Sequence, residues 1–268
     1  MKNSYVHGYE TRENIRLQDQ AATLADLLHS DTRYPAGSHI LEIGCGVGAQ
    51  TVTLARNSPG IRITCIDISD DYLAQAAKRV ANEGLTNVEF HQADIYKLPF
   101  KADSFDHVFV CFVLEHLPEP LKALKIIKNL IKIGGTITDI EGDHGSTFFY
   151  PHSKEACKAI ECLVELQRRS GGNSLIGREL YPLLCKAGYS SVRVSPRMVY
   201  VDSSKPEMVD GFTKKTFAAM IEGIREPALK AGLVESQVFD KGVQGLYRAA
   251  KQDGVFCYTF FKAFGEKK

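Results

Sequence analysis

Glu42, Gly44, Gly46, Gly48 and Asp67 have the types and spacing that one kind of chemistry needs, the binding of a nucleoside. Three glycines within five residues let the backbone turn sharply and leave no Cβ between it and a ligand. Cys45 lies between the first two, and Ala49 to Arg56 reads as a helix. The free N–H groups and positive dipole end of that helix start suit a polar ligand. Asp67 stands 19 residues beyond Gly48, closing an apolar run, where a carboxylate can accept from both ribose hydroxyls. Two ligand classes are open on these residues. Gly44, Gly46 and Ala49 satisfy the G-x-G-x-x-G/A dinucleotide spacing of an oxidoreductase. Glu42, two places before the first glycine, would repel a pyrophosphate and suits an ammonium or sulfonium group. Asp67 serves either ligand.

These residues need a sheet to hold them. His39–Ile43 is apolar and branched, as a buried strand should be, and Ile61–Ile66 reads as a second strand. Ser69 or Asp70 caps a helix over Tyr72–Asn82, which Gly84 stops. Asn87–His91 is a third strand, and Phe105–Val113 is so continuously apolar that both its faces must be covered. A helix follows over 119–132, ended by Gly134-Gly135, and Thr136–Ile140 is a fifth strand. Strands alternating with helices imply an α/β, doubly wound parallel sheet whose ligand site lies at the carboxyl ends of the strands. Upstream, residues 10–29 form an amphipathic helix with Ile15, Leu17, Ala21, Leu24 and Leu28 inward.

Beyond 141 the rhythm changes. Helices are expected over 154–169 and 178–187, then a strand over 191–201, two or three helices within 206–250, and a last strand over 255–264. We expect a single domain over 1–268: a leading helix within 1–37, a core over 38–141, and helical insertions at 142–190 and 206–250 covering the strand ends. Phe148, Phe149, Tyr150, Phe212 and Phe217 could line an acceptor pocket there, or simply pack the core.

Composition narrows the function. The 268 residues carry a net charge of +1, with 44% hydrophobic and 24% charged residues, which gives no electrostatic case for a nucleic-acid partner. Seven cysteines without a C-x-x-C pair indicate neither a zinc site nor a disulfide framework. The polar N-terminus is no signal peptide and no run reaches membrane-spanning length, so a cytoplasmic protein is expected. Tyr150 and Lys154 reproduce the Y-x-x-x-K spacing of short-chain dehydrogenases, but Pro151 and the capping Ser153 place Tyr150 ahead of the helix that this chemistry requires.

With Leu41-Glu42-Ile43-Gly44-Cys45-Gly46-Val47-Gly48, the motifs HQADIYKLPF, FDHVFVCFVLEHLPEP and KIGGT stand in order over residues 38–140. Together they resemble the class I S-adenosylmethionine-dependent methyltransferases. The stretch GGNSLIGRELYPLLCKAGY resembles their ubiquinone-biosynthesis-like small-molecule group. The resemblance implies a Rossmann-like seven-stranded sheet with an antiparallel last strand and S-adenosyl-L-methionine as cofactor. It implies that Asp94 accepts from the adenine amino group with the Ile95 N–H at the ring, and that Ile68 and Ile95 flank the adenine. Cys111 and Phe112 would lie along the methionine part, and Tyr9, Arg16 and Gln20 would reach its carboxylate, for which an arginine fork is suited. Transfer to a small-molecule acceptor would follow. His116 and His144, just past the fourth and fifth strands, are the candidate bases, each with an ordinary loop role as the alternative, and Asp143 stands beside the second. No N-P-P-Y-like motif follows the fourth strand, which argues against methylating the amino groups of nucleic-acid bases.

Overall fold

The apolar runs become strands and the amphipathic ones helices in a computed structural model, which describes residues 23–268. In chain order these are α1 (residues 23–29), β1 (His39–Ile43), α2 (Ala49–Asn57), β2 (Arg62–Asp67), α3 (Asp70–Asn82), β3 (Val88–Gln92) and β4 (Phe105–Cys111). A 3-10 turn (Leu114–His116), α4 (Pro120–Leu130), β5 (Ile131–Tyr150) and α5 (Lys154–Arg169) follow. Then come a second 3-10 turn (Ile176–Glu179), α6 (Leu180–Lys186) and β6 (Ser190–Val201). The chain closes with α7 (Pro206–Met208), a π-helical stretch (Val209–Ala218), α8 (Ala219–Gly223), α9 (Arg225–Lys230), α10 (Ser236–Ala249) and β7 (Val255–Glu266).

The seven strands stand in the order β3-β2-β1-β4-β5-β7-β6. The pairs β1–β2, β2–β3, β1–β4 and β4–β5 are parallel. β7 runs antiparallel: the end of β7 meets the start of β5, with the Gly134 N–H donating to the Lys267 carbonyl at 2.8 Å and the Lys267 N–H to Gly135 at 2.9 Å. Strand order reverses between β1 and β4, so the crevice at the end of β1 is where a ligand binds in such sheets.

The loop after β1 depends on its glycines. Gly48 has φ +77°, and a Cβ on it would lie 2.9 Å from both Cα and Cβ of Ala76 on α3. Gly48→Ala therefore combines a strained backbone with a clash against a helix, and we expect it to cost roughly 1–3 kcal/mol. Urea unfolding checks this; a loss below about 0.5 kcal/mol would mean that α3 simply moves aside.

Two expectations are corrected. Gly134 and Gly135 do not end a helix; they lie inside β5, which starts at Ile131 and continues to Tyr150. The β4–β5 register jumps from Phe105↔Ile131 to His107↔Thr136, and within that irregularity a Cβ on Gly135 would stand 2.3 Å from the Asp106 carbonyl. Residues 206–250 also break into more pieces than two or three helices. Thr216 Oγ1 donates to the Gly211 carbonyl at 2.7 Å, a five-residue reach that matches the wider π-helical spacing. The dehydrogenase-like pair is dissolved as expected, since Tyr150 ends β5 and the Ser153 hydroxyl caps α5 by accepting the Ala156 N–H.

By their contacts the described residues divide into two compact units, one of residues 23–24, 142–175 and 198–260, the other of residues 25–141, 176–197 and 261–268. Residues 176–190, expected in an insertion, belong to the second, where Ile176, Leu180 and Leu184 are fully buried beside Leu124, Ile127 and Ile137. In that unit Lys262 on β7 ties down the end of α1, donating to the Leu28 carbonyl, Asp31 and Thr32 Oγ1. The first unit is built around an aromatic core. Phe212 lies 5.8–6.0 Å from the rings of Phe256, Tyr258 and Phe260, and Phe217 stands 4.8 Å from Phe256. Among the described residues no helix is long and apolar enough to cross a membrane.

Candidate functional site

The end of β1 and the end of β2 are joined through Asp67. Its Oδ2 accepts the Gly46 N–H at 2.9 Å and its Oδ1 the Ser69 N–H at 2.9 Å. The Gly44 and Cys45 N–H groups bond the Ile66 carbonyl at 2.8 and 3.0 Å, which draws the glycine loop over the second strand. Each Asp67 oxygen keeps lone-pair capacity beyond these single bonds. Burial raises its carboxyl pKa, opposed by the N–H groups of Ser69, Gly46 and Ile68.

Gly46 forms the crest of the loop: φ is +51°, and a Cβ there would meet nothing within 4 Å. Beside Asp67, Ile68 is 63% exposed, unusual for an isoleucine at a strand end. The Ala93 N–H bonds the Asp67 carbonyl at 3.0 Å, bringing the β3 loop alongside. In that loop Asp94 Oδ1 accepts the Tyr96 N–H at 2.9 Å. Ile95 is buried in the core of its unit, so Ile68 is the member of the expected pair that presents an apolar side chain outward.

After β4, Cys111 is buried and Phe112 adopts a left-handed φ of +58°, strained for a non-glycine residue. Val113 packs against Gly44, where a Cβ would come within 2.5 Å of its Cγ2. His116 ends the 3-10 turn with its Nε2 3.6 Å from Glu115 Oε1. In the other unit, His144 is buried with its Nδ1 2.8 Å from the Tyr258 hydroxyl. His144 lines an open groove of about 480 Å³ with Gly145, Ile160, Cys162, Leu175 and Leu233. Asp143 is buried and accepts the Gly145 N–H. Tyr9, Arg16 and Gln20 lie outside the described residues.

Residues 41–138 match a protein family described as a methyltransferase domain. Over these residues the chain is similar to a methyltransferase domain. The demethylmenaquinone methyltransferase of Lactococcus lactis is 32% identical over 120 residues, covering 44% of this chain and 48% of that protein. The chain spans about half the length of the curated relatives it matches. Among solved structures, the [4+2]-cyclase SpnF has a TM-score of 0.55 at 21% identity, covering 93% of this chain and 81% of its own. Phosphoethanolamine N-methyltransferase 2 of Haemonchus contortus, solved with S-adenosylhomocysteine, has a TM-score of 0.56 at 19% identity, covering 93% and 53%.

The methyltransferase domain's own residues fit the cofactor. The crest at Gly46 is open, the exposed Ile68 offers an apolar face, and Asp67 and the Asp94 loop beside it supply carboxylates.

Glu42 is where the structure departs from the ligand-charge argument. It is 2% exposed and faces inward, with Cys65 Sγ donating to its Oε2 at 3.3 Å and Thr51 also bonding it. Burial lifts its carboxyl from 4.5 to about 7. The folded methyltransferase domain therefore binds more protons than the unfolded chain between those values, and stability falls as pH rises from about 4.5 to about 7. Glu42→Gln removes that penalty. We expect the variant to gain about 1–3 kcal/mol on the parent at pH 8 compared with pH 4.5. Urea unfolding at both pH values checks it; a pH-independent difference would contradict the buried, neutral carboxyl.

Reading the residue pattern missed Asp139 and Glu141 on β5, both fully buried. Their signal was two acidic residues alternating inside an apolar strand, TDIEG.

Proposed function

We propose that the chain is an S-adenosylmethionine-dependent methyltransferase acting on a small, apolar or planar acceptor. The observation that carries this is the Asp67–Gly46 bond at the β1–β4 switch point, with an exposed Ile68 and the Asp94 loop beside it. Asp67 takes the ribose hydroxyls, Ile68 lies against the adenine, and Asp94 with the Ile95 N–H reads its edge. Cys111 and Phe112 border the methionine part, and Tyr9, Arg16 and Gln20 take its carboxylate. The sulfonium supplies an activated methyl group, so what remains for the protein is to hold the acceptor in line and to take a proton where the acceptor has one to lose. His116 and His144 are the candidates for that proton. The Lactococcus relative is named for demethylmenaquinone, which supports a quinone-like acceptor. Acceptor choice then belongs to the segments 143–175 and 206–250.

Incubation with methyl-labelled S-adenosylmethionine and a panel of hydroxylated aromatic and quinol acceptors tests this. The expected result is label in an organic-extractable product together with S-adenosylhomocysteine. Cofactor binding without transfer to any member would instead support a nucleoside-binding protein.

A further inference from the structure

Glu141 bonds the turn that follows β4. Its Oε1 accepts two successive backbone N–H groups, Val113 at 2.9 Å and Leu114 at 2.7 Å. These residues directly follow Phe112, whose left-handed φ of +58° is held from the other side by its N–H on the Ile140 carbonyl at 2.9 Å. The turn in its place puts Val113 against Gly44, so the same carboxyl sets how closely the post-β4 turn meets the glycine loop. Glu141 Oε2 is buried without a hydrogen-bond partner, as are both oxygens of Asp139 two residues earlier on the strand. Neither side chain is exposed at all.

We propose that Glu141 is a positioning residue for the methionine end of the cofactor, holding the Phe112–Leu114 turn in its strained shape. This rests on the function proposed above. Burial, and for Glu141 the neighbouring Asp139, push both carboxyls well above the usual carboxylate range. The Glu141 carboxyl accepts these two N–H groups through one oxygen, as a glutamine amide can. Asp139 makes no such bonds and plays no part in the turn.

The test is calorimetric binding of two probes, S-adenosylhomocysteine and adenosine, which lacks the methionine end. Glu141→Gln should bind both within about twofold of the parent, because its amide oxygen replaces Oε1. Glu141→Leu should lose at least tenfold for S-adenosylhomocysteine and less than twofold for adenosine. Glu141→Asp, a methylene short of reaching both N–H groups, should lose three- to tenfold for S-adenosylhomocysteine alone, and it carries the test if the leucine variant does not fold. Asp139→Asn should bind both probes as the parent does. A general structural role would move both probes together. Equal losses for the two probes, or unchanged S-adenosylhomocysteine affinity in the leucine and aspartate variants, would overturn the proposal. If the parent binds neither probe, it is the cofactor reading that fails.

Discussion

Asp67→Ala will cost the protein about 2–4 kcal/mol of S-adenosylhomocysteine binding, a factor of roughly 30 to 1000. Two losses combine. The ribose hydroxyls would lose the acceptor proposed for them, and the Gly46 and Ser69 N–H groups lose the oxygens to which they now donate. The second loss loosens the glycine loop itself, so the effect exceeds that of a contact made only to ligand. Asp67→Asn keeps one side-chain oxygen of similar shape and should lose less. Calorimetry on the three proteins decides it: an alanine variant that binds like the parent would move the ribose elsewhere.

Phe212→Ala will destabilise the first unit by about 3–5 kcal/mol, the cost of emptying a filled aromatic site. Phe212 is 1% exposed and touches three other rings, whereas Phe148 and Tyr150 are 55% and 61% exposed. Alanine at Phe148 or Tyr150 should change stability by no more than about 0.5 kcal/mol. If either contacts the acceptor, its loss appears in turnover with cofactor affinity unchanged. Thermal and urea unfolding alongside turnover separate the cases. A stable Phe212→Ala protein with lost turnover would place that ring on the acceptor rather than in the core.

β1, β2 and β4 were legible because each is a short, mostly apolar run, whereas β3 carries only Val88 and Phe90 as apolar residues. Ser69 and Ser153 cap their helices as their positions suggest, each accepting the N–H three residues on. β5 was misread because its glycines look like a helix stop, and only the partner strand shows that Gly135 serves a close approach to Asp106. The pieces within 206–250 were blurred because a π-helical stretch keeps helical composition while changing the spacing of its buried side. Glu42 was placed correctly in the motif, but whether a strand residue faces ligand or core depends on what packs on that face, here Thr51 and Cys65. Glu141 escaped notice because its partners are N–H groups 27 residues earlier on another strand's turn, and backbone donors leave no trace in side-chain patterns.

The most direct measurement is calorimetric titration of the full chain with S-adenosylhomocysteine and, separately, with NAD+. The expected result is one S-adenosylhomocysteine bound per chain, with affinity reduced at least tenfold by Asp67→Ala, and no detectable NAD+ binding. Saturable NAD+ binding that depends on Asp67, with none for S-adenosylhomocysteine, would contradict the methyltransferase function and return the glycine loop to the dinucleotide reading.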